Sequence, residues 1–234
     1  MDTARRAGHD APVDRRLVAC GDVSETMKFD SWPKSCTAAP AILVLATAIV
    51  FGRIVGFGWL AWDDDINVTK NPGLDPVTPA SLWKFWQAPY EGLYIPVSYM
   101  LYAAEAAISR VLFPGAALDP RLFHAVSLVL HATCVLLVWQ ILRTRIASGL
   151  PALAGALIFA VHPLHVESVA WISEQRGLLS ALLCFAMLCL SPDGAAPPSQ
   201  RVLCLALFTL ALLAKPQAVI APHTAHPAGF TTHT

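Results

Sequence analysis

An almost uncharged stretch near the start of this chain ends at three consecutive aspartates. Residues 41–61 read AILVLATAIVFGRIVGFGWLA, with Arg53 as the one charge, and residues 62–72 continue as WDDDINVTKNP. Since a bilayer core about 30 Å thick needs about 20 apolar residues in a helix, this stretch predicts a membrane helix over about residues 41–62. Its polar end has two interpretations, a solvated helix end or a catalytic site.

The composition of the whole chain also predicts an integral membrane protein. Of its 234 residues, 56% are hydrophobic and 14% are charged, against roughly 25% charged in an ordinary soluble domain. Lysine plus arginine equals aspartate plus glutamate at 16 each, so no basic excess indicates a nucleic-acid partner. The six cysteines contain no CxxC pair, and no disulfide framework is predicted.

The order of the apolar stretches predicts an all-α fold, a polytopic membrane helix bundle. Residues 1–40 carry basic residues but no apolar run, which indicates a cytoplasmic tail and not a cleaved signal peptide. Residues 177–190 span only about 21 Å as a helix, so that helix must borrow flanking residues, tilt or fail to cross. Besides the first helix, membrane helices are predicted over about residues 122–142, 150–171, 174–190 and 202–222, and an interfacial helix over about 94–113.

The arginines predict how these helices are oriented. The RTR sequence at residues 143–145 should be cytoplasmic, because short loops rich in Lys and Arg stay inside. With the N-terminus also inside, residues 94–113 must lie along the outer interface as an amphipathic helix. Glu105 and Arg110 within that helix favour the interfacial placement. The polar residues 62–72 and 162–176 then meet on the outer face.

The second polar stretch reads HPLHVESVAWISEQR at residues 162–176. Pro163 cannot continue the preceding helix but suits the first turn of a new one. A helix that starts there would place Glu167, Trp171 and Glu174 on one face. We therefore expect an acidic, aromatic-lined surface at the membrane boundary.

The aspartates are candidates for a general base. Carboxylates that share a partly desolvated site raise the proton affinity of at least one of them. The alternative is a solvated helix end. With either interpretation, exchange of Asp63 or Asp64 for Asn is expected to leave folding intact, because surface substitutions usually stay within about 0.5 kcal/mol. The NVT sequence at residues 67–69 matches a glycosylation acceptor, and we interpret it as accidental.

The histidines and Lys215 have similar pairs of interpretations. His162, His165 and Glu167 are close in sequence, but Pro163 interrupts the helix that would hold them, so structural or substrate-contact roles are favoured and no metal site is predicted. Lys215 lies in an apolar run, where an ionisable residue is a functional hypothesis by default. It either faces a phosphate or snorkels to the membrane surface.

Five stretches together resemble one family. In order they are WDDDINVTKNP (62–72), LYIPVSY (93–99), FHAVSLVLHA (123–132), HPLHVESVAWISEQRGLLS (162–180) and LLAKP (212–216). They resemble the bacterial relatives of the transmembrane and tetratricopeptide-repeat-containing protein O-mannosyltransferases. The resemblance runs from about residue 41 to 222 and implies a C-type glycosyltransferase-like fold that is incomplete in this chain.

The resemblance also implies a reaction. A sugar passes from a polyprenyl-phosphate-linked donor to Ser or Thr of a protein acceptor on the extracytoplasmic face of the bacterial inner membrane. No further cofactor and no metal are implied. Asp63 and Asp64 take the place of the acidic pair that activates the acceptor, and positive groups offset the charge of the leaving phosphate. The residues implied in substrate binding are His162, His165, Glu167, Glu174, Arg176 and Lys215.

Two departures from the family bear on these expectations. The family commonly has a basic pair where this chain has Gln175 and Arg176. We also expect a truncated N-terminal membrane portion with an aberrant or disordered tail at 223–234, so the activity is predicted for a longer parent protein. The alternative function is a transporter or channel-like subunit, with Arg53, Glu105 and Lys215 lining a polar path. A pure membrane anchor would leave the outer-face residues without a role.

Overall fold

The computed structural model of the protein describes residues 38–114, 118–146, 149–191 and 197–221. These residues contain no β-strand, and an isolated bridge joins Tyr90 to Leu93. The predicted all-α helix bundle is confirmed. Most of the predicted N-terminal tail and the predicted aberrant C-terminal residues lie outside the described part. The helices are α1 (Ala39–Phe51), α2 (Pro79–Gln87), α3 (Pro96–Leu112), α4 (Pro120–Arg145), α5 (Gly149–Val161), α6 (His165–Ala170), α7 (Gln175–Leu190) and α8 (Pro198–Ala214).

Some of these helices are long and apolar enough to cross a membrane. Within the described ranges there are three such spans, Ala39–Gly56, Pro120–Arg145 and Ile172–Leu190, of 18, 26 and 19 residues. The third includes α7 and the 3₁₀ turn Ile172–Glu174 before it. The short apolar stretch at 177–190 therefore borrows flanking residues, one of the three outcomes left open by its length. α5 and α8 are shorter apolar helices.

The first membrane helix ends earlier than its hydropathy predicts. α1 ends at Phe51 and a 3₁₀ turn continues to Gly56, so six residues separate the helical segment from Asp63. Glycines at 52, 56 and 58 explain the early end, because glycine is among the least favourable residues in a helix. The predicted boundary at residue 62 was wrong, and the aspartates do not directly cap this helix.

Two other predicted helices break at prolines. The predicted helix over 150–171 divides into α5 and α6, since Pro163 cannot donate to the helical ladder. The predicted helix over 202–222 ends at Ala214, and Lys215 takes the extended conformation (φ −156°, ψ 123°) before Pro216 opens a 3₁₀ turn. A residue before proline is disfavoured in the α region. Polar candidate residues lie at both breaks.

The bundle packs around α4. This helix contacts α1, α5 and α7, and α7 in turn packs on α8. A second core of aromatic residues lies among α2, α3 and α4, where Phe85 stacks on Tyr99 with ring centroids 4.5 Å apart. α3 buries one whole face in this core.

The burial of α3 corrects one argument for its interfacial placement. Glu105 was expected to reach the aqueous interface, but it is 2% exposed and faces the protein interior. Arg110, the other charge, pairs with Asp75 at 3.0 Å. The interfacial position of α3 stays a prediction, and Glu105 does not support it.

Candidate active site

Four charged residues from three separate parts of the chain form one ion-pair network. Glu174 is central: its Oε1 accepts from Arg176 Nε at 3.2 Å and NH2 at 3.0 Å, and its Oε2 accepts from Lys215 Nζ at 2.6 Å. Arg176 NH2 also lies 3.6 Å from Asp63 Oδ2. The formal charges sum to zero. We call Asp63, Glu174, Arg176 and Lys215 the charged network.

The network lies where regular helix is interrupted. Glu174 ends the 3₁₀ turn before α7, Arg176 is in the first turn of α7, and Lys215 is the extended residue after α8. Gly177 lies close against the ion pair: a Cβ at this position would be 3.2 Å from Glu174 Oε2 and 3.4 Å from Lys215 Nζ. A side chain at residue 177 would therefore crowd the Glu174–Lys215 ion pair by a few tenths of an ångström.

The two aspartates of the predicted acidic pair have different environments. Asp63 is partly open, with 32% of its side chain exposed. Asp64 is 1% exposed, and its Oδ1 accepts from Ser173 N at 2.9 Å and Ser173 Oγ at 2.7 Å. Its Oδ2 accepts from Leu60 N at 3.0 Å. Asp64 thus ties the segment after α1 to the turn that carries Glu174, so the premise that it is an exposed carboxylate is wrong.

Asp65 lines two open cavities, and no residue of the charged network lines either of them. One cavity of about 420 Å³ is lined by Trp62, Tyr90 and Glu91 among others. The other, of about 350 Å³, is lined by Trp59 and Arg110 among others. Asp65 lines both and pairs with Lys70 at 2.6 Å. The NVT asparagine, Asn67, is buried, in agreement with the interpretation of that motif as accidental.

The histidines lie apart from the charged network. His165 packs its ring 5.1 Å from His131 and 4.5 Å from Phe159, and His162 Nδ1 accepts from Leu164 N at 3.3 Å. Burial, and secondly the neighbouring His162, lower the pKa of His165. Within the described residues no hydrogen bond or ion pair joins either histidine to the network, so direct substrate contact by these side chains stays a prediction.

The predicted shared face of Glu167, Trp171 and Glu174 was wrong. α6 ends at Ala170, and Trp171 is extended (φ −96°, ψ 115°) before the next turn begins. Glu167 is exposed on α6, whereas Glu174 points into the charged network. In the part of the chain that the structure describes, no group of three or more His, Cys, Asp or Glu residues could hold a metal ion.

Several residues around the network carry no obvious sequence signal. Ser173 holds Asp64, and Gln175 is fully buried and donates to Glu105 Oε1 at 2.9 Å and to the Phe123 carbonyl at 2.6 Å. Desolvation raises the pKa of the Glu105 carboxyl well above its ordinary value of 4.5. The polar residues of α3 at helical spacing are the one pattern that could have indicated this layer.

Several curated proteins are similar to this chain over more than half of its length. The mouse protein O-mannosyl-transferase TMTC1 is 30% identical over 177 residues, which cover 71% of this chain. Human TMTC1 is 29% identical over 163 residues, or 64% of this chain. Tmtc2 of Drosophila melanogaster is 28% identical over 154 residues, or 61%. The chain has weak homology to the TMTC O-mannosyl-transferases.

The homology covers a small part of these relatives. The matched region is 18% of the mouse and human proteins and 15% of the fly protein, so the chain spans less than a fifth of their length. No family model and no solved structure matches the chain. The C-type glycosyltransferase-like fold, the bacterial origin and the truncation therefore stay predictions, whereas the membrane helix bundle is established by the apolar helices.

Proposed function

We propose that this chain is the catalytic membrane portion of an O-glycosyltransferase. It would move a mannose-like sugar from polyprenyl phosphate to Ser or Thr hydroxyls of a protein on the extracytoplasmic face. The observation that carries the proposal is the charged network, in which an open carboxylate, Asp63, lies beside two cations. The names of the similar proteins, all O-mannosyl-transferases, support the same class of reaction.

Asp63 is the better of the two candidates for the general base. It is partly exposed and only loosely paired, at 3.6 Å from Arg176. In Asp64 both oxygens already accept short hydrogen bonds, so an acceptor hydroxyl could bind there only by displacing one of them. We assign proton abstraction to Asp63 and positioning of the site to Asp64.

The proposed step is a single displacement with inversion at the anomeric carbon. Asp63 removes the proton from the acceptor hydroxyl while the oxygen of that hydroxyl forms a bond to the anomeric carbon of the sugar. The bond from that carbon to the phosphate oxygen breaks on the opposite face, and the electron pair leaves with the polyprenyl phosphate. A general base of this kind typically contributes about 100- to 10,000-fold in rate.

The cations of the network still have hydrogen-bond donors to offer a phosphate. The arginine guanidinium has five N–H groups and the lysine ammonium three. Glu174 engages Nε and NH2 of Arg176 and Nζ of Lys215, which leaves the two NH1 donors and further donors on both groups. Since the carboxylate neutralises only part of their charge, a phosphate could bind the remaining donors with charge assistance.

No contact favours the transporter alternative. That function required Arg53, Glu105 and Lys215 to line one polar path. Instead Glu105 pairs with Gln175, Lys215 pairs with Glu174, and Arg53 is exposed on the 3₁₀ turn after α1. Among the described residues these three side chains make no ion pair with one another.

Sugar transfer by the reconstituted chain tests the proposal. The protein is placed in liposomes with mannosyl-phosphoryl-polyprenol and a Ser/Thr peptide, and addition of a hexose is followed by mass spectrometry. Asp63→Asn should lower the rate about 100- to 10,000-fold. The matched control is Asp75→Asn, another outer acidic residue, which is exposed and outside the network. Transfer by Asp63→Asn at the parental rate, or by no protein in the series, would contradict the proposal.

A further inference from the structure

Helix α3 presents three polar side chains along one face. Ser98, Tyr102 and Glu105 are four and three residues apart, a spacing that aligns side chains on a helix. All three are buried, with exposures of 0%, 0% and 2%. A buried polar side chain requires a hydrogen-bond partner, and each of the three finds one in a segment that bears the charged network.

Each of these contacts is made to the residue just before a network residue. Ser98 Oγ donates to the carbonyl of Ala214 at 2.9 Å, directly before Lys215. Tyr102 Oη donates to the carbonyl of Ser173 at 2.9 Å, directly before Glu174. In the third contact, Glu105 Oε1 accepts from Nε2 of Gln175 at 2.9 Å, and Gln175 is directly before Arg176. One helix face therefore holds three network residues through their neighbours.

The network residues lie where the chain is irregular. Lys215 is extended between two helical segments, with its N–H donating to the Ala211 carbonyl at 2.9 Å, and Glu174 ends a 3₁₀ turn. α7 also packs directly on α8. The contacts from α3 add side-chain hydrogen bonds to the carbonyls of Ala214 and Ser173 at these interruptions.

We propose that Ser98, Tyr102 and Glu105 are positioning residues that set the geometry of the charged network. Their effect on sugar transfer rests on the proposed function, whereas the positioning itself is a property of the protein that can be measured without substrate. α3 is then the scaffold of the site, although it contributes no residue to the network.

Glu105 fulfils this role as a neutral acid. Its Oε2 and Gln175 Oε1 are both buried without a hydrogen-bond partner, and an ionised carboxylate in that place would be a buried, unpaired charge. A proton on Glu105 removes the charge and adds a donor. Glutamine, which is also neutral and carries both an acceptor and a donor, should therefore replace it, whereas leucine should not.

The reactivity of Lys215 toward an acylating reagent tests the proposal directly. In the purified chain in detergent, acylation of Lys215 is measured by mass spectrometry relative to Lys70, which is 73% exposed and serves as the internal standard. Ser98→Ala should raise this ratio about five-fold, because loss of one hydrogen bond raises the population in which Lys215 is accessible by about this factor.

A matched serine on the same helix provides the control. Ser109 is 1% exposed, and its Oγ accepts from Asp119 N at 3.0 Å, away from the network. Ser109→Ala removes a hydroxyl from the same helix and should leave the Lys215 ratio unchanged. Equal ratios for Ser98→Ala and Ser109→Ala would overturn the proposal, because a general loosening of α3 would affect both variants alike.

A second pair of variants tests the Glu105 contact through Arg176. Modification of Arg176 by a dicarbonyl reagent should stay at the parental rate in Glu105→Gln and rise in Glu105→Leu. Parental rates in both variants would overturn the role of Glu105. Binding of polyprenyl phosphate is measured in parallel. If the parent does not bind this lipid while Ser98→Ala still exposes Lys215, the proposed function fails and the positioning role stands.

Discussion

At the scale of single residues, neighbouring aspartates have different environments because of partners far along the chain. Asp64 accepts hydrogen bonds from Ser173, 109 residues away, whereas Asp63 pairs with Arg176. The sequence shows three equivalent carboxylates in a row. An acidic cluster could be predicted from the sequence, since it depends on composition at the end of an apolar run. Which carboxylate is open could not be predicted, since that depends on the backbone N–H and hydroxyl of Ser173.

Exchange of Asp64 for Asn should destabilise the fold. The amide nitrogen that replaces one oxygen cannot accept from Ser173 or Leu60, and a buried donor left unsatisfied costs about 1–3 kcal/mol. Thermal unfolding in detergent should therefore occur at a lower temperature in Asp64→Asn than in the parent. Asp63→Asn is the control, because its partly exposed side chain predicts a change within about 0.5 kcal/mol. Equal unfolding temperatures in the two variants would contradict the structural role of Asp64.

At the scale of elements, the apolar pattern predicts where helices lie but not where they stop. Hydropathy identified α4 and the region of α7, because a membrane span requires a continuous apolar run. Hydropathy alone did not show the breaks at residues 162–163 and 215–216; the first was predicted from Pro163 itself and is confirmed. The second break places Lys215 outside α8, where it pairs with Glu174.

The break at Pro216 should be necessary for the site. In Pro216→Ala, residue 215 is free to adopt helical dihedral angles and α8 can extend, which turns Lys215 away from Glu174. We expect sugar transfer to fall at least ten-fold, although loss of a compatible proline costs only about 0.4–1 kcal/mol of stability.

The matched control for this prediction is Pro198→Ala. Pro198 lies at the first position of the same helix, at its other end, where proline is well accommodated. The two variants should have similar stability, measured by thermal unfolding, and differ in transfer rate. If Pro198→Ala and Pro216→Ala transfer sugar equally well, the break does not position Lys215.

At the scale of the whole molecule, the residues of the site come from three separate parts of the described chain and meet in one network. Asp63 follows α1, Glu174 and Arg176 flank the start of α7, and Lys215 follows α8. The family resemblance implied a basic pair where this chain has Gln175 and Arg176. The Gln175 side chain instead faces Glu105, so a basic residue there would pair with Glu105 and not extend the network.

The orientation of the bundle in the membrane stays a prediction and can be tested by thiol labelling. The positive-inside rule predicts that Arg143 and Arg145, at the C-terminal end of α4, are cytoplasmic. The N-terminal end of α4 and residues 62–72 are then predicted on the outer side. A cysteine introduced at the exposed Ala80, between Asp63 and α3, should react with a membrane-impermeant thiol reagent applied to intact cells. A cysteine at the exposed Thr144 should react only after the membrane is permeabilised.

Both variants are made in a background without Cys20 and Cys36. The introduced thiol is then the one cysteine that lies outside the apolar runs of the sequence. Labelling of Thr144→Cys in intact cells would invert the bundle and place the charged network on the cytoplasmic face, where an extracytoplasmic acceptor could not reach Asp63.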